Sequence, residues 1–78
     1  MPSVPIHRHI LGQNVRLYRK LAGLTQEKLA EKANLTPTYL SDVERGRENI
    51  SVDAVARIAK AVGVELEDVF RATTRGKK

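Results

Sequence analysis

The helix-stop signals in this chain are its most restrictive feature, because they leave room only for short helices. Each stop is a residue that tolerates the left-handed backbone conformation, and each follows a segment in which apolar residues recur at three- and four-residue intervals. The stop residues are Gly23, Asn34, Gly46 and Gly63. No segment shows the alternation of apolar and polar residues that is typical of β-strands. The chain is therefore predicted to be all-α.

Hydroxyl residues mark helix starts that match these stops. Thr25, Thr36 and Ser51 can each accept a hydrogen bond from a backbone N–H in the first helical turn. Pro37 follows Thr36 at the first helical position, where its missing N–H had no partner to lose. The predicted helices, caps included, cover about residues 7–21, 25–34, 36–45, 51–63 and 65–70.

The length of the chain and its lack of cysteine limit how these helices can be stabilised. A chain of 78 residues forms one small domain, and without cysteine it has neither a disulfide nor a thiolate metal site. Its stability must come from apolar faces packed on one core, with dimerisation as a further source. The predicted core positions are Val15, Leu24, Leu29, Leu35, Leu40, Val43, Ile58 and Val62. We expect a domain at 7–71, a flexible arm at 1–6 and a basic, disordered tail at 72–78.

The charge of the chain suggests a polyanionic partner. The formal net charge is +5 and the isoelectric point is about 10.0, with the basic residues concentrated towards both ends. A basic surplus does not by itself choose between DNA, RNA and a membrane surface. No apolar run approaches the ~20 residues that span a bilayer, and the N-terminus lacks a signal-peptide pattern. The protein is predicted to be cytoplasmic, without a membrane partner.

The residue types that catalysis requires are not found at useful spacings. The sequence has no nucleophile near a histidine, no cluster of metal-ligating residues and no glycine-rich phosphate loop. The neighbouring acids Glu67 and Asp68 are typical of a solvated helix face. We predict no enzymatic activity, no cofactor and no metal site.

The middle of the chain carries a recognisable motif. Residues 23–46, "GLTQEKLAEKANLTPTYLSDVERG", resemble the helix-turn-helix of the lambda-repressor-like family, and the likeness extends from about Ile10 to Phe70. Asn34 stands where the family usually has glycine, and its tolerance of positive φ accommodates the turn. The resemblance implies a compact five-helix DNA-binding domain with the helix-turn-helix at helices 2 and 3.

The resemblance also assigns roles to individual residues, because in this fold helix 3 lies in the major groove and helix 2 crosses the DNA backbone. The residues it places toward the bases are Thr36, Pro37, Thr38, Ser41 and Asp42. The residues it places near the phosphates are Arg19, Gln26, Tyr39, Arg45, Arg47 and Asn49. Two roles stay open: Tyr39 is equally a half-buried core aromatic, and Asp42 is either a base contact or a residue that only caps or repels.

Two further implications concern stability and assembly. Arg19 and Glu44 resemble the family's partly buried ion pair, which ties the first helix to the end of the reading helix. One reading helix gives too small an interface for tight specific binding, so a homodimer on two half-sites is expected. The expected self-contact is formed by Val64, Leu66, Val69 and Phe70, whose alternative role is to complete the core.

The type of regulator is only partly determined. The segment "ERGRENIS" resembles the controller proteins of restriction-modification systems, whereas Pro37 and Glu48 stand where such controllers commonly have arginines. A small phage-type or chromosomal repressor fits the same residues. An antitoxin or a protein-interaction module is the alternative from another class. The expected partners are double-stranded DNA and a second copy of the chain, and RNA polymerase is left open.

Overall fold

Four α-helices and a terminal 3-10 helix make up the computed structural model, which describes residues 5–72. The elements are α1 (Ile6–Leu21), α2 (Gln26–Ala33), α3 (Pro37–Glu44), α4 (Val52–Val62) and the 3-10 helix (Leu66–Phe70). The all-α prediction is confirmed for these residues, but the fifth helix is not α-helical. Its backbone hydrogen bonds span three residues: the N–H of Asp68 donates to the carbonyl oxygen of Glu65 at 3.0 Å, and that of Arg71 to Asp68 at 3.3 Å. The arm predicted at 1–6 is too long by one residue, because α1 already begins at Ile6. Residues 1–4 of that arm and residues 73–78 of the predicted tail lie outside the described residues.

Hydrogen bonds and backbone angles account for the predicted starts and stops. Each capping hydroxyl accepts the backbone N–H three residues later, at 3.0 Å for Thr25, 3.1 Å for Thr36 and 3.1 Å for Ser51. Asn34 ends α2 with a φ of 59°, in the left-handed region. Such caps contribute about 1 kcal/mol each, so the bounds of α2, α3 and α4 follow from local sequence.

One core lies between the helices. The second helix packs against α3 and α4, and α1 packs against α3 and the 3-10 helix. Leu24, Leu35 and Val62, from the predicted core, pack at its edge. No helix within residues 5–72 is long and apolar enough to cross a bilayer. The buried core consists of Leu11, Val15, Leu29, Ala30, Ala33, Leu40, Val43, Val55, Ile58, Ala59 and Val69.

The closest approach of α1 to α3 occurs at Gly12. A Cβ atom at this position would lie 2.6 Å from the carbonyl oxygen of Val43 and 2.7 Å from that of Glu44. Both are backbone atoms at the end of α3, so they cannot rotate away as a side chain would. Gly12 therefore allows α1 to contact the C-terminal end of α3 directly.

A buried ion pair holds the same end of α3. Nε of Arg19 donates to Oε2 of Glu44 at 2.7 Å and Nη2 donates to Oε1 at 3.2 Å, with the two side chains only 11% and 2% exposed. Nη1 of Arg19 also donates to the carbonyl oxygen of Leu24 at 3.0 Å, and Nε2 of Gln26 donates to Oε1 of Glu44 at 3.0 Å. The expected pair is thus present, and it joins α1, α2 and α3 in one network.

Asn14 fixes the 3-10 helix on α1. This residue is only 4% exposed. Its Nδ2 donates to the carbonyl oxygens of Val69 at 2.9 Å and Arg71 at 2.8 Å, so both amide hydrogens have partners. A satisfied buried amide costs little, whereas an unsatisfied one costs about 1–3 kcal/mol. The position of the 3-10 helix is therefore set by a contact with α1.

Gly12→Ala tests the close approach of α1 and α3. Alanine normally stabilises a helix interior by about 0.5–1 kcal/mol over glycine, but overpacking against fixed atoms costs about 1–3 kcal/mol. The second effect is the larger, so Gly12→Ala should lower the urea midpoint of unfolding. Gln13→Ala, at an exposed position of the same helix, should leave it nearly unchanged. A higher midpoint for Gly12→Ala than for the parent would contradict the described contact.

Glu44→Ala tests the buried ion pair. Removing one partner of a buried pair leaves the other charge without compensation and costs roughly 3–5 kcal/mol, a large part of the stability of a small domain. Chemical denaturation followed by circular dichroism should show a large fall in midpoint. The matched control is Glu31→Ala, because Glu31 pairs with Lys28 in solvent and is 74% exposed; exposed pairs contribute about 0–1 kcal/mol. Equal midpoints for the two variants would show that the ion pair does not stabilise the fold.

Candidate nucleic-acid interface

The first half of α3 leaves one side accessible. Leu40 and Val43 turn inward and are at most 2% exposed. Thr38, Ser41 and Asp42 are related by three- and four-residue steps, so they lie together on the opposite side of the helix. The predicted base-facing residues are all at least partly accessible: Thr36, Pro37, Thr38, Ser41 and Asp42. The structure therefore brings Thr38, Ser41 and Asp42 onto one face of α3, and it leaves Thr36 and Pro37 exposed at the start of that helix.

Hydrogen-bonding capacity on this surface is largely free. The hydroxyl oxygen of Thr36 accepts the N–H of Tyr39, which leaves the hydroxyl hydrogen available to donate. The carboxylate of Asp42 forms no ion pair with any residue in the range 5–72, and it caps no helix there. Of the roles left open for Asp42, capping is thus not observed. Its carboxylate can accept hydrogen bonds from a partner outside the domain.

The loop after α3 has a fixed backbone and free arginine side chains. The N–H of Arg47 donates to the carbonyl oxygen of Asp42 at 2.8 Å and that of Gly46 to Val43 at 3.0 Å, with Gly46 at a φ of 77°. This is the Schellman arrangement that ends a helix and satisfies its last carbonyl groups. Arg45 and Arg47 are exposed and have no acidic partner among the described residues. The segment that follows α3 therefore carries two exposed cations and the exposed Asn49.

Tyr39 is the half-buried aromatic residue that one of its two predicted roles requires. The residue packs at the edge of the core and remains partly exposed. Burial, and secondarily the charge of Glu48, raise the pKa of the Tyr39 phenol, while the charge of Arg57 opposes the shift. The phenol therefore stays protonated at and well above neutral pH. A protonated hydroxyl at this position can donate a hydrogen bond to a phosphate oxygen.

Two residues predicted to approach phosphate are used inside the protein. The guanidinium of Arg19 is directed to Glu44 and Leu24, and at 11% side-chain exposure it is not a free phosphate ligand. Nε2 of Gln26 donates to Glu44, which leaves one amide hydrogen for a further acceptor. The sequence assigned both an ion-pair role and a phosphate role to Arg19, and the structure supports the first.

The structure changes the set of residues expected to form the self-contact. Val69 is fully buried in the core and cannot reach a second copy, and Val64 packs at the edge of the core. Leu66 and Phe70 are 40% and 47% exposed. Val52, which its helical spacing would place on the inner face of α4, is 66% exposed and lines a depression with Phe70. Among the described residues, Val52 and Phe70 thus share one depression and Leu66 lies on the same 3-10 helix as Phe70, whereas the exposed apolar residues Ile6 and Leu21 belong to α1.

Comparisons with known proteins identify the family to which this chain belongs. A family model described as helix-turn-helix matches residues 15–69. The control protein C.BamHI of Bacillus amyloliquefaciens is 44% identical over 70 residues, which cover 88% of this chain and 86% of that protein.

Two solved structures show the same fold at appreciable sequence identity. The restriction-modification controller protein C.AhdI from Aeromonas hydrophila has a TM-score of 0.81 and 33% identity, with 85% of this chain and 100% of that chain covered. SinR, the master regulator for biofilm formation, was solved in complex with DNA and has a TM-score of 0.74 and 31% identity, with 78% of this chain and 98% of that chain covered. The chain therefore belongs to the helix-turn-helix family, which confirms the resemblance seen in residues 23–46.

Proposed function

We propose that this protein is a sequence-specific regulator of transcription that binds double-stranded DNA as a homodimer on a palindromic or pseudopalindromic operator. The observation that carries the proposal is the face of Thr38, Ser41 and Asp42 on α3. This face is accessible and its side chains have no ion-pair partner within residues 5–72, while Glu44 of the same helix is anchored in the protein. In helix-turn-helix proteins this helix enters the major groove, with its N-terminal residues at the base edges. The similarity to SinR, a regulator solved with DNA, supports the same use here.

Recognition by α3 would combine a few direct contacts with DNA shape. The hydroxyl and methyl of Thr38 suit a base acceptor and a thymine methyl, and the carboxylate of Asp42 suits the amino group of cytosine. Thr36, Pro37 and Ser41 complete the accessible surface. No arginine, glutamine or asparagine stands on this face to make a bidentate base contact. A large part of the specificity is therefore expected to come from sequence-dependent deformability of the duplex.

Phosphate contacts would position the domain on either side of α3. Arg45 and Arg47 extend from the fixed loop after the helix, and Asn49 follows them. Tyr39 and the remaining amide hydrogen of Gln26 supply neutral donors, which are common in protein–DNA interfaces. These contacts give affinity that is independent of sequence and that decreases with salt.

Within the family, the controller type has the most support. C.BamHI is called a control protein, and its match to this chain covers most of both lengths. The chain also has the fold of C.AhdI, a restriction-modification controller. A small repressor would use the same surfaces. A controller and a repressor would differ in which genes lie beside the operator. Fusing the promoter of the protein's own gene to a reporter, with and without the protein, would measure the sign of regulation.

Selection of bound duplexes from a random pool, followed by salt titration of the winner, tests the function as a whole. A palindromic consensus with two half-sites about one helical turn apart is expected from a dimeric reader. Uniform, salt-sensitive binding without a consensus would contradict sequence-specific regulation. It would favour the alternative of an antitoxin or a protein-interaction module built on the same fold.

Asp42→Asn is expected to broaden the choice of sequence or to raise general affinity. The carboxylate of Asp42 can only accept hydrogen bonds, whereas the amide of asparagine both donates and accepts them. The substitution also removes a negative charge that repels base acceptors and phosphates. Because one base contact is worth about 1–3 kcal/mol, discrimination at one position of each half-site should fall roughly tenfold. Glu31→Gln, which removes the same charge from an exposed site on α2, should leave the consensus unchanged. If the selected sequences of Asp42→Asn match those of the parent and its affinity is also the same, Asp42 has no role in recognition.

A second copy is expected to cover the accessible apolar surface of Val52, Leu66 and Phe70. A dimer buries these side chains and doubles the DNA interface, since one small module buries only about 600–1,000 Å² on DNA. Asn14 holds the 3-10 helix that carries Leu66 and Phe70, so the surface has a defined shape before association.

Phe70→Glu is expected to abolish dimerisation, because it places a charge in an apolar contact. Analytical ultracentrifugation at tens of micromolar should show a dimer for the parent and a monomer for Phe70→Glu, with the helical circular dichroism of the two unchanged. Leu21→Glu is the matched control, because Leu21 is an apolar residue of α1 that is 73% exposed and does not belong to the surface. A parent that stays monomeric, or a Phe70→Glu variant that stays dimeric, would contradict this interface.

A further inference from the structure

A second cationic surface lies on the seam between α2 and α4. Lys32, Arg57 and Lys60 line one groove, which we call the basic seam, and Ala61 completes its lining. No carboxylate lines this groove, and none of the three cations forms an ion pair within residues 5–72. Three like charges thus share one groove, and within residues 5–72 no ion pair neutralises any of them.

Arg57 places the basic seam beside the reading helix. Its Nε donates to the carbonyl oxygen of Ala33 at 2.8 Å, at the end of α2 and directly before the turn into α3. Its charge also acts on the phenol of Tyr39 in α3. Lys60 follows Arg57 by three residues, so it lies on the same side of α4. The seam therefore begins next to the first turns of α3 and continues along α4.

Helix dipoles account for only part of this arrangement. Lys32 and Lys60 stand in the last turns of α2 and α4, where a cation gains about 0.3–1 kcal/mol from the helix dipole. That gain is available to each lysine separately and does not require that the side chains share a groove. Their convergence with Arg57 adds mutual repulsion, which a bound anion would relieve.

We propose that the basic seam binds the phosphate backbone of the same duplex whose bases α3 reads. This inference rests on the proposed function and extends it with a phosphate-binding surface on α4. The seam carries no base-reading groups, so its contribution would be to affinity and register rather than to sequence choice.

Continuity with the reading helix favours DNA over an acidic protein as the occupant. The first helix of a helix-turn-helix, here α2, crosses the DNA backbone, and Lys32 belongs to the last turn of that helix. The bond from Nε of Arg57 to Ala33 holds the guanidinium in place and leaves its Nη groups to bind a phosphate in bidentate fashion. A guanidinium held in one groove with two lysines suits a phosphate backbone as ligand.

Salt titration of DNA binding by Lys32→Gln and Lys60→Gln tests the proposal. Each variant removes one cation without touching the Arg57–Ala33 bond, and each change is present twice in a dimer. The slope of log affinity against log salt falls by about 0.9 for each duplex phosphate that the protein no longer neutralises, so each variant should lower it by about 1.8. The fall should be the same on the selected consensus and on a scrambled duplex.

Two controls separate a local contact from a change in overall charge. Lys60→Arg keeps the cation and should keep the parent slope, whereas Lys20→Gln removes an exposed charge at the end of α1 and should change the slope little. Parent-like slopes for both seam variants, or an equal fall for Lys20→Gln, would overturn the proposal and leave an acidic protein as the occupant to consider.

The failure of the proposed function gives a different result. A parent that selects no consensus would contradict sequence-specific regulation, yet the slope measured on any duplex would still decide whether the seam binds phosphates. A parent that binds no duplex at all would overturn both.

Discussion

The rest of the structure depends on the buried ion pair between Arg19 and Glu44. An isolated helix of eight residues is unstable in water, so α3 needs tertiary contacts to exist as well as to be placed. Desolvating two charges costs several kcal/mol per ion, and this cost is offset only when the remaining hydrogen-bonding groups find partners. Leu24 and Gln26 supply those partners. The pair therefore favours one arrangement of α1, α2 and α3 over loosely packed alternatives.

The anchor holds the C-terminal end of α3 and leaves one face of the helix free. Glu44 is buried in the network and Asp42 is accessible, although only one residue separates them, because each residue turns a helix by about 100°. Gly12 brings α1 onto the carbonyl groups at the anchored end. An acid in the reading helix is therefore not evidence against DNA binding: one acid of α3 holds the helix, and the other faces the surface that we propose meets the bases.

In the dimer that we propose, DNA binding would be linked to self-association through charge and shape. A dimer doubles each phosphate contact, so a cation with a small effect in one protomer acts twice on the salt dependence. Asn14 holds the 3-10 helix on the same α1 that anchors α3 through Arg19. Both α3 and the proposed self-contact surface are thus held in place by α1. This arrangement would fix the spacing of the two α3 helices across a symmetric dimer.

Local chemistry in the sequence determined the helical class, the caps at Thr25, Thr36 and Ser51, the turn at Asn34 and, through the motif of residues 23–46, the family. These features depend on backbone groups only a few residues away, which is why they can be read without coordinates. The terminal helix proved to be 3-10, and Val69 and Phe70, adjacent in sequence, differ completely in burial.

Only the tertiary structure decided the roles of Gly12, Asn14 and Arg57. Asn14 reaches a carbonyl group 55 positions later and Arg57 one 24 positions earlier, and Gly12 is required by backbone atoms of another helix. Such partners are brought together by packing, and the residue types themselves carry no signal of them. The sequence by itself therefore determined the helices and the family, whereas packing decided which side chains hold the fold and which remain free to bind.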